Sequence, residues 1–571
     1  MRKIEQALQN LAAGVMTLRP RRSTPALAGL ACALLIGCGN SNSVDSSTAT
    51  MAMPAPAAML GFLHVGPAAG PAGLHQIVDA NGRSVLLRGV NVTSLRDDYT
   101  DNATPFVPQY SFDPASYANG DCPLPASGDT QLALCSLDAD QLNSFGYDAV
   151  RLAVSWSVLE PQPGTIDTTV IDRIAQIVAW FKQAGIYTVI DMHQDGWSKY
   201  VYTSAGTTCP PPFASVSGAG GDGAPQWASN HLTPACTLDG IAELDPAVEE
   251  DFTRFWLNLP GPDGVGLQDH FASVVLALAQ RFHDEPAVAG YEVFNEPLPG
   301  LELVPPLADL TSTFPFYAKV IKTVTAAVPG FSQLFFVEPD ALRNVTQERE
   351  EFLPWSTFSD YPNVVFAPHV YTGVFTLNAE LGSLLPGIST VLGPLFTLSG
   401  GYGSAVGDAN ALGLPLWVGE FGNGVADDST LLQGHYQYQD QDAIGSSLWA
   451  WKSPPGANTV APGWCVMQGS TPFDVVTFPS RLQYTSRVYP LYTAGSLQSL
   501  SYDADNATFD LQATATAVTP GDTGHATLLY IPVAVTAPIQ AEGAQMQTVN
   551  RGDGSRYVYV YPAGGAYHIH T

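Results

Sequence analysis

Two glutamates stand at the ends of short apolar runs. Residues 291–297 read YEVFNEP and place Glu296 directly before a proline. Residues 416–422 read LWVGEFG and carry Glu420. A carboxylate at the end of a buried strand is costly to keep without a partner or a task. A lone Glu there is as readily one half of a structural ion pair as a functional group. Two of them on separate strands suit glycoside hydrolysis. One carboxyl keeps its proton for the leaving oxygen, and the other attacks or activates water. Pro297 disfavours the helical region for the residue before it, so Glu296 is expected to be extended.

Other polar and aromatic groups recur at similar places. Arg151 lies in YDAVRLAVSW, His193 in IDMHQDGW, and Asn295 beside Glu296. His369 and Tyr371 lie in FAPHVYT, and Trp449 closes a further apolar run. Taken singly, each has an ordinary explanation: a counter-ion, a hydrogen-bonded core histidine, a core tryptophan. Their shared position at strand ends is harder to produce by accident.

The elements that must position these groups alternate. Strands are predicted at 86–92, 147–154, 186–192, 288–295, 334–338, 364–369, 416–419 and 444–449. Helical spacing of Ile171, Ile174, Ile177, Val178 and Phe181 marks 167–184. Further helices are expected in 252–281, broken by a loop at 260–266, and at 316–328, between Pro315 and Pro329. Eight strands alternating with helices over about 400 residues point to an α/β fold, a (β/α)8 barrel, here placed at 73–486. An Asn81–Gly82 turn joins 75–80 to 84–92 as a hairpin. The loop at 200–242 is long enough to expect a functional part for it. From 487 to 571, short alternating runs separated by turn residues predict a small antiparallel β-sandwich.

The chain has 571 residues and a net charge of −29. That balance argues against a nucleic-acid partner and against steering to anionic lipid. Arg19, Arg21 and Arg22 precede an apolar run at 26–36 and then Leu35-Ile36-Gly37-Cys38. This reads as an export signal over 1–38, with Met16 a possible start. The last four residues resemble the lipobox of bacterial lipoproteins, which implies lipidation of Cys38 and attachment to the cell envelope. An ordinary signal cut nearby, with secretion, is the alternative. Residues 39–72, rich in Ser, Ala, Pro and Gly, read as a flexible tether. Of the seven cysteines, Cys122 with Cys135 and Cys209 with Cys236 form local pairs at loop borders, suited to disulfides in an oxidising compartment. Cys465 is left over, and no spacing suits zinc.

The order of RGVN, Arg151, His193, Asn295-Glu296-Pro297, His369-x-Tyr371, GEFG and Trp449 resembles the family-five glycoside hydrolases over about residues 75–480. The resemblance implies a retaining enzyme with Glu296 as acid/base and Glu420 as nucleophile. Asn295 would bond the sugar 2-hydroxyl, and Arg151 and Tyr371 would hold the nucleophile ionised. His193 and His369 would contact sugar or carboxylate, and Trp449 would floor the ring. No metal or organic cofactor is implied. DMHQDGW at 191–197, GGDGAPQW at 220–227 and the sandwich resemble the endoglycoceramidase branch, which cuts glycosphingolipids between sugar and lipid. There Asp195 and Trp227 would meet the sugar on the non-reducing side. A loop-capping Asp and a rim aromatic are their ordinary readings. The branch's sugar-binding lysine after the first strand has no plain counterpart, and only Arg96 stands near. Apolar stretches at 298–310 and 375–398 could seat a ceramide or sterol, or pack as loop cores. The same pair of glutamates would also serve a β-glucosidase, a steryl glucosidase or an endo-β-glucanase. A non-catalytic carbohydrate-binding lipoprotein is the reading from another class, opposed by the presence of both glutamates. A monomer is expected.

Overall fold

The computed structural model describes residues 60–97, 111–117, 134–203, 206–214, 221–229, 233–238, 242–300, 305–347, 349, 357–372, 397–424, 427–453, 465–468 and 476–571. The expected signal with Cys38, the tether up to residue 59, Cys122 and the apolar segment at 373–396 lie outside these residues.

Eight parallel strands follow the predicted order: Arg88–Leu95, Ala149–Val154, Tyr187–Met192, Val288–Glu292, Leu334–Val337, Val364–Phe366, Trp417–Phe421 and Gly445–Leu448. Neighbours pair in sequence, and the eighth strand pairs with the first. The seam between the sixth and seventh strands is closed by one bridge, Phe366 to Leu416, and by the Val370 N–H donating to the Glu420 carbonyl at 3.0 Å. The second strand is buried at every residue, as a strand covered on both faces must be. The helix Thr168–Ala184 begins at Asp167, whose carboxylate accepts from the Thr169 N–H, and ends at Gly185. Its buried face carries Ile171, Ile174, Ile177, Val178 and Phe181, the residues whose spacing predicted it. Helices Pro246–Trp256 and Leu267–Phe282 flank the expected loop, and Phe314–Ala327 follows the fourth strand. Between these helices and the strands, Trp156, Trp197, Phe255, Phe271 and Phe294 pack edge-on or tilted, with centroids 5.1–6.4 Å apart. Such aromatic packing gives the strand ends above it a rigid footing.

The domain boundaries expected near residue 73 are corrected by the sheet pairing. Strands His64–Ala68, His75–Val78 and Ser84–Val85 precede the barrel but do not join it as strands. Ser84–Val85 pairs with Tyr489–Thr493, and the sheet continues through Thr527–Ile531, Arg556–Pro562 and Ala544–Asn550. Seven antiparallel strands thus combine the two ends of the described chain. Leu60 and Leu63 are buried, so the ordered body begins inside the stretch read as a tether. Its small residues serve contact: a Cβ on Gly66 would meet Val78 Cγ1 at 2.8 Å. A second antiparallel sheet, Ser496–Asp503, Thr508–Ala515, Gly565–His570 and Gln540–Glu542, stacks on the first. Leu497, Leu511, Leu529, Val558 and Ile569 fill the space between them. Asp440, on a barrel helix, pairs with Arg88 of the first strand at 2.7 Å and with Arg487 at the start of the C-terminal domain.

Cys209 and Cys236 form a disulfide. Cys135 is also disulfide-bonded, and its expected partner Cys122 lies outside the described residues. Among the described residues, no helix is long and apolar enough to cross a membrane.

Candidate active site

The site is built around one buried cation. Arg151 projects from the second strand with no exposed surface. Its Nη1 donates to Glu420 Oε1 at 2.6 Å and to Asn91 Oδ1 at 2.9 Å. Its Nε and Nη2 grip Glu292 at 2.5 and 3.0 Å, and Nη2 also reaches Asn295 Oδ1 at 2.7 Å. Asp191 lies 3.1 Å from Nη1. A planar fork of donors can satisfy this many acceptors at once, which a lysine could not. Removing one partner from such a buried array would leave an uncompensated charge.

Glu420, on the seventh strand, is held from two sides. Arg151 donates to Oε1, and the Tyr371 hydroxyl donates to Oε2 at 2.8 Å. The two bonds together fix the direction of the carboxylate.

Glu296 differs from expectation in its backbone. The strand ends at Glu292, and Glu296 has φ +39°, in the left-handed region and not extended. Pro297 discourages only the right-handed helical region and does not dictate what replaces it. The conformation is fixed by bonds that the sequence does not announce. The Glu296 N–H donates to Glu338 Oε2 at 2.8 Å. Glu296 Oε1 lies 2.8 Å from both Asn344 Nδ2 and His369 Nδ1. A non-glycine residue in this region costs on the order of 1–3 kcal/mol, which these bonds offset.

Burial, and after it the negative charge of Asp195, raises the Glu296 carboxyl to about 7. Burial lowers His369 to about 3, so its ring is neutral near neutrality. Its Nδ1 faces Glu296 at 2.8 Å and Glu338 at 3.2 Å, so with the ring hydrogen on Nδ1 it donates beside Asn344 to Glu296 Oε1 and leaves Oε2 for the proton. Burial and the neighbouring Glu296 raise Glu338 well above the usual carboxyl range, so it remains a neutral acid behind this group.

One carboxylate oxygen from each of Glu296 and Glu420, with a ring nitrogen of His369, lies within 4.8 Å of the others. Two carboxyls this close can act on opposite sides of a single glycosidic carbon by double displacement.

The rim is charged. Burial lowers His193, but Asp191 and Asp195 outweigh it and lift the imidazole to about 10. His193 Nδ1 lies 2.7 Å from Asp191, and its ring stacks on Trp449 with centroids 5.6 Å apart. Arg96 bridges Asp195 at 2.7 Å and Asp222 at 2.6 Å, and lies over the Trp449 ring at 5.7 Å. Burial works against ionisation of Asp195, but Arg96 and His193 overcome it and hold the carboxyl below its usual range. Asp222 comes from the long loop, whose Gly221–Asp222 pairs with Asp195–Gly196. The glycines of that loop are structural necessities. A Cβ on Gly221 would meet the Asp195 carbonyl oxygen at 1.6 Å, and one on Gly223 would meet Gln194 Cβ at 2.1 Å.

The structure therefore joins Arg151, His193, Asp195, Asn295, Glu296, His369, Tyr371, Glu420 and Trp449 through direct contacts. Trp227 stands apart from that network. Its Nε1 donates to the Glu160 carbonyl at 3.0 Å, and its ring packs on Trp156 and His270. Sequence reasoning passed over Asn91, Glu292, Glu338 and Asn344. Glu292 lay inside the quoted YEVFNEP, and its signal was a charge in the middle of a buried strand. Glu338 follows LFFV as Glu296 follows its own strand.

Residues 136–454 match the family described as Cellulase (glycosyl hydrolase family 5), and residues 487–567 match the Glycoside hydrolase family 5 C-terminal domain. Endoglycoceramidase I of Rhodococcus hoagii (strain 103S) is 28% identical over 495 residues, covering 86% of this chain and 85% of the relative. A solved structure described as endogalactoceramidase aligns with a TM-score of 0.67 at 28% identity, over 90% of this chain and 100% of its own. The ganglioside GM3 complex of endo-glycoceramidase II from Rhodococcus sp. shares the fold at 22% identity, with a TM-score of 0.62 over 87% of this chain and 99% of its own.

Proposed function

This chain belongs to glycosyl hydrolase family 5, and from that premise we propose that it hydrolyses the β-glycosidic bond between sugar and ceramide in glycosphingolipids. The chain is a retaining glycosidase, so the reaction runs in two displacements. Glu420 attacks the anomeric carbon as the bond to the lipid oxygen breaks, and Glu296 gives that oxygen its proton. A glycosyl-enzyme ester and a free ceramide result. Glu296, now ionised, takes a proton from water, whose oxygen displaces Glu420 and releases the sugar.

The observation that carries this reading is the approach of the two carboxyls within 4.8 Å in unlike surroundings. Arg151 and Tyr371 face Glu420, while Glu296 is raised to about 7. The acidic partner at the fourth strand thus holds a proton at the pH where the other must be charged. Asn295 is anchored by Arg151 and by donating to the Gln194 carbonyl at 2.7 Å, which suits a fixed contact to the 2-hydroxyl. Trp449, beside His193 and Arg96, is the aromatic suited to stack on a sugar, and Asp195 with Arg96 offers charged partners for sugar hydroxyls. The lipid aglycone is supported by the relative matched over 86% of the chain.

Parallel incubation with a ganglioside, glucosylceramide, a steryl glucoside and a soluble β-glucan tests the substrate. Release of intact oligosaccharide and ceramide from the ganglioside is expected. Faster turnover of the glucan or the steryl glucoside would replace the proposed substrate class with one of those. Lipidation at Cys38, and with it attachment to the cell envelope, rests on Leu35-Ile36-Gly37-Cys38 alone. Mass spectrometry of the mature N-terminus decides it: a diacylated cysteine is expected, and an unmodified cleavage product rejects it.

A further inference from the structure

The outer face of the smaller sheet carries a second group of convergent donors, remote in sequence from the glutamate pair. His568 and His570 alternate with the buried Tyr567 and Ile569 on Gly565–His570, so both imidazoles leave the same face. On one flank, Glu542 of the three-residue edge strand Gln540–Glu542 stands opposite His568. On the other, Asp510 stands opposite His570. Residues opposite one another in an antiparallel pair share a face. Four metal-binding side chains from three strands therefore meet.

One ligand atom from each of Glu542, His568 and His570 lies within 4.8 Å of the others. His570 Nε2 is 4.0 Å from Glu542 Oε1, and the two imidazole centroids are 4.7 Å apart. Side chains exposed by 25% for His570 and 76% for Glu542 can close the remaining gap by rotation. Each ring also has a protein partner on one nitrogen. Asp510 Oδ2 sits 2.6 Å from His568 Nε2, and the Thr571 carbonyl 3.4 Å from His570 Nδ1. An imidazole held by a carboxylate or carbonyl on one nitrogen is oriented to bind a metal through the other. Beside these groups runs an open cleft of about 740 Å³, lined by His568, His570, Asp510, Gln433 and Gln437, which gives an ion a path from solvent.

We propose that His568, His570 and Glu542, with Asp510 as fourth ligand or ring-orienting partner, bind a divalent transition metal of the zinc class. Two neutral imidazoles and two carboxylates match its preference for nitrogen and oxygen donors, whereas magnesium and calcium favour all-oxygen sets. The two negative charges balance a dication. The bound ion ties a short edge strand, otherwise held by its backbone bonds and by the packing of Ala541, to the two strands inside it.

Metal-stripped full-length protein is titrated with Zn²⁺ by calorimetry and with Co²⁺ by visible absorption. One tight equivalent is expected, together with a rise in melting temperature on adding Zn²⁺. The double variant His568→Gln, His570→Gln should lose both the equivalent and the rise while hydrolysing substrate at the parental rate. Asp510→Asn should weaken binding by about 10–100-fold. If the parent takes up no ion, the proposal fails. It fails equally if the double variant keeps the equivalent, because the ion then sits elsewhere, as at the two donor clusters that share His369, one with Glu296 and Glu420 and one with Glu292 and Glu338.

Discussion

The ends of the fourth and seventh barrel strands present the same side chain to one cleft in opposite company. Glu420 meets a guanidinium and a phenolic hydroxyl. Glu296 meets an amide, a neutral imidazole and, behind its backbone, a protonated carboxyl. No cation touches Glu296 directly in these contacts, and burial decides its proton affinity. On the proposed mechanism, two chemically identical groups take complementary tasks from what surrounds them. The difference also extends to the backbone: Glu420 lies within its strand, where the pairing register shifts between Val418 and Phe421, and Glu296 lies beyond its strand with φ +39°.

The sharpest way to break the comparison is to make the two ends alike. Glu420→Gln should lower turnover on the order of 10⁴-fold or more, since no covalent step remains. Its substrate affinity, measured by calorimetry, should be retained. Glu296→Gln should cost about 10²–10⁴-fold on a lipid glycoside. On an aryl glycoside with an acidic leaving group, which needs no proton, bond cleavage should be far less affected. Equal losses on both substrates would mean that the roles are not divided as assigned. Arg151→Met removes the cation shared by Asp191, Glu292 and Glu420 and should destabilise the fold by about 3–5 kcal/mol in urea unfolding.

The pH profile probes the Glu296 end alone. The acid works protonated, and its protonated fraction falls as pH rises through about 7. The profile of kcat/KM should therefore decline above about 7, approaching tenfold per pH unit. The smallest effect belongs to Glu338. Because it is neutral, Glu338→Gln should leave this limb in place. Glu338→Ala strips the acceptor from the Glu296 N–H and should cost about 1–3 kcal/mol of stability. A limb displaced by the Gln variant would show that Glu338 carries charge.

Much of this site could be read from the chain because its residues fall where a strand gives way to a loop. Arg151 in the middle of an apolar run, and Glu296 between Asn295 and Pro297, break local patterns, and such breaks are visible in one dimension. Glu338 stands before a proline after LFFV much as Glu296 does, but neither it nor Asn91 or Asn344 shows in one dimension what it faces. Their parts depend on which strand end lies beside which, and that is set by barrel closure. The left-handed φ of Glu296 was hidden for the same reason, since it is enforced by partners more than 40 residues away. The helices and barrel strands followed from periodicity. The docking of Ser84–Val85 on Tyr489–Thr493 did not, because a two-residue strand carries no period and its partner lies at the far end of the chain. Gly66 illustrates the limit of composition: small residues signal a loose segment and a tight contact equally well.

That docking acts as a buckle. The strands that fasten it lie outside the barrel, one before and one after it in the chain. A tug on the polypeptide upstream of Leu60 would first load Gly61, bonded to the Tyr187 hydroxyl of the third barrel strand, and then His64–Ala68 at the rim of the seven-stranded sheet. Removing residues 487–571 alone would instead undo the buckle, baring the unpaired N–H and C=O groups of Val85 and its neighbours to any passing strand.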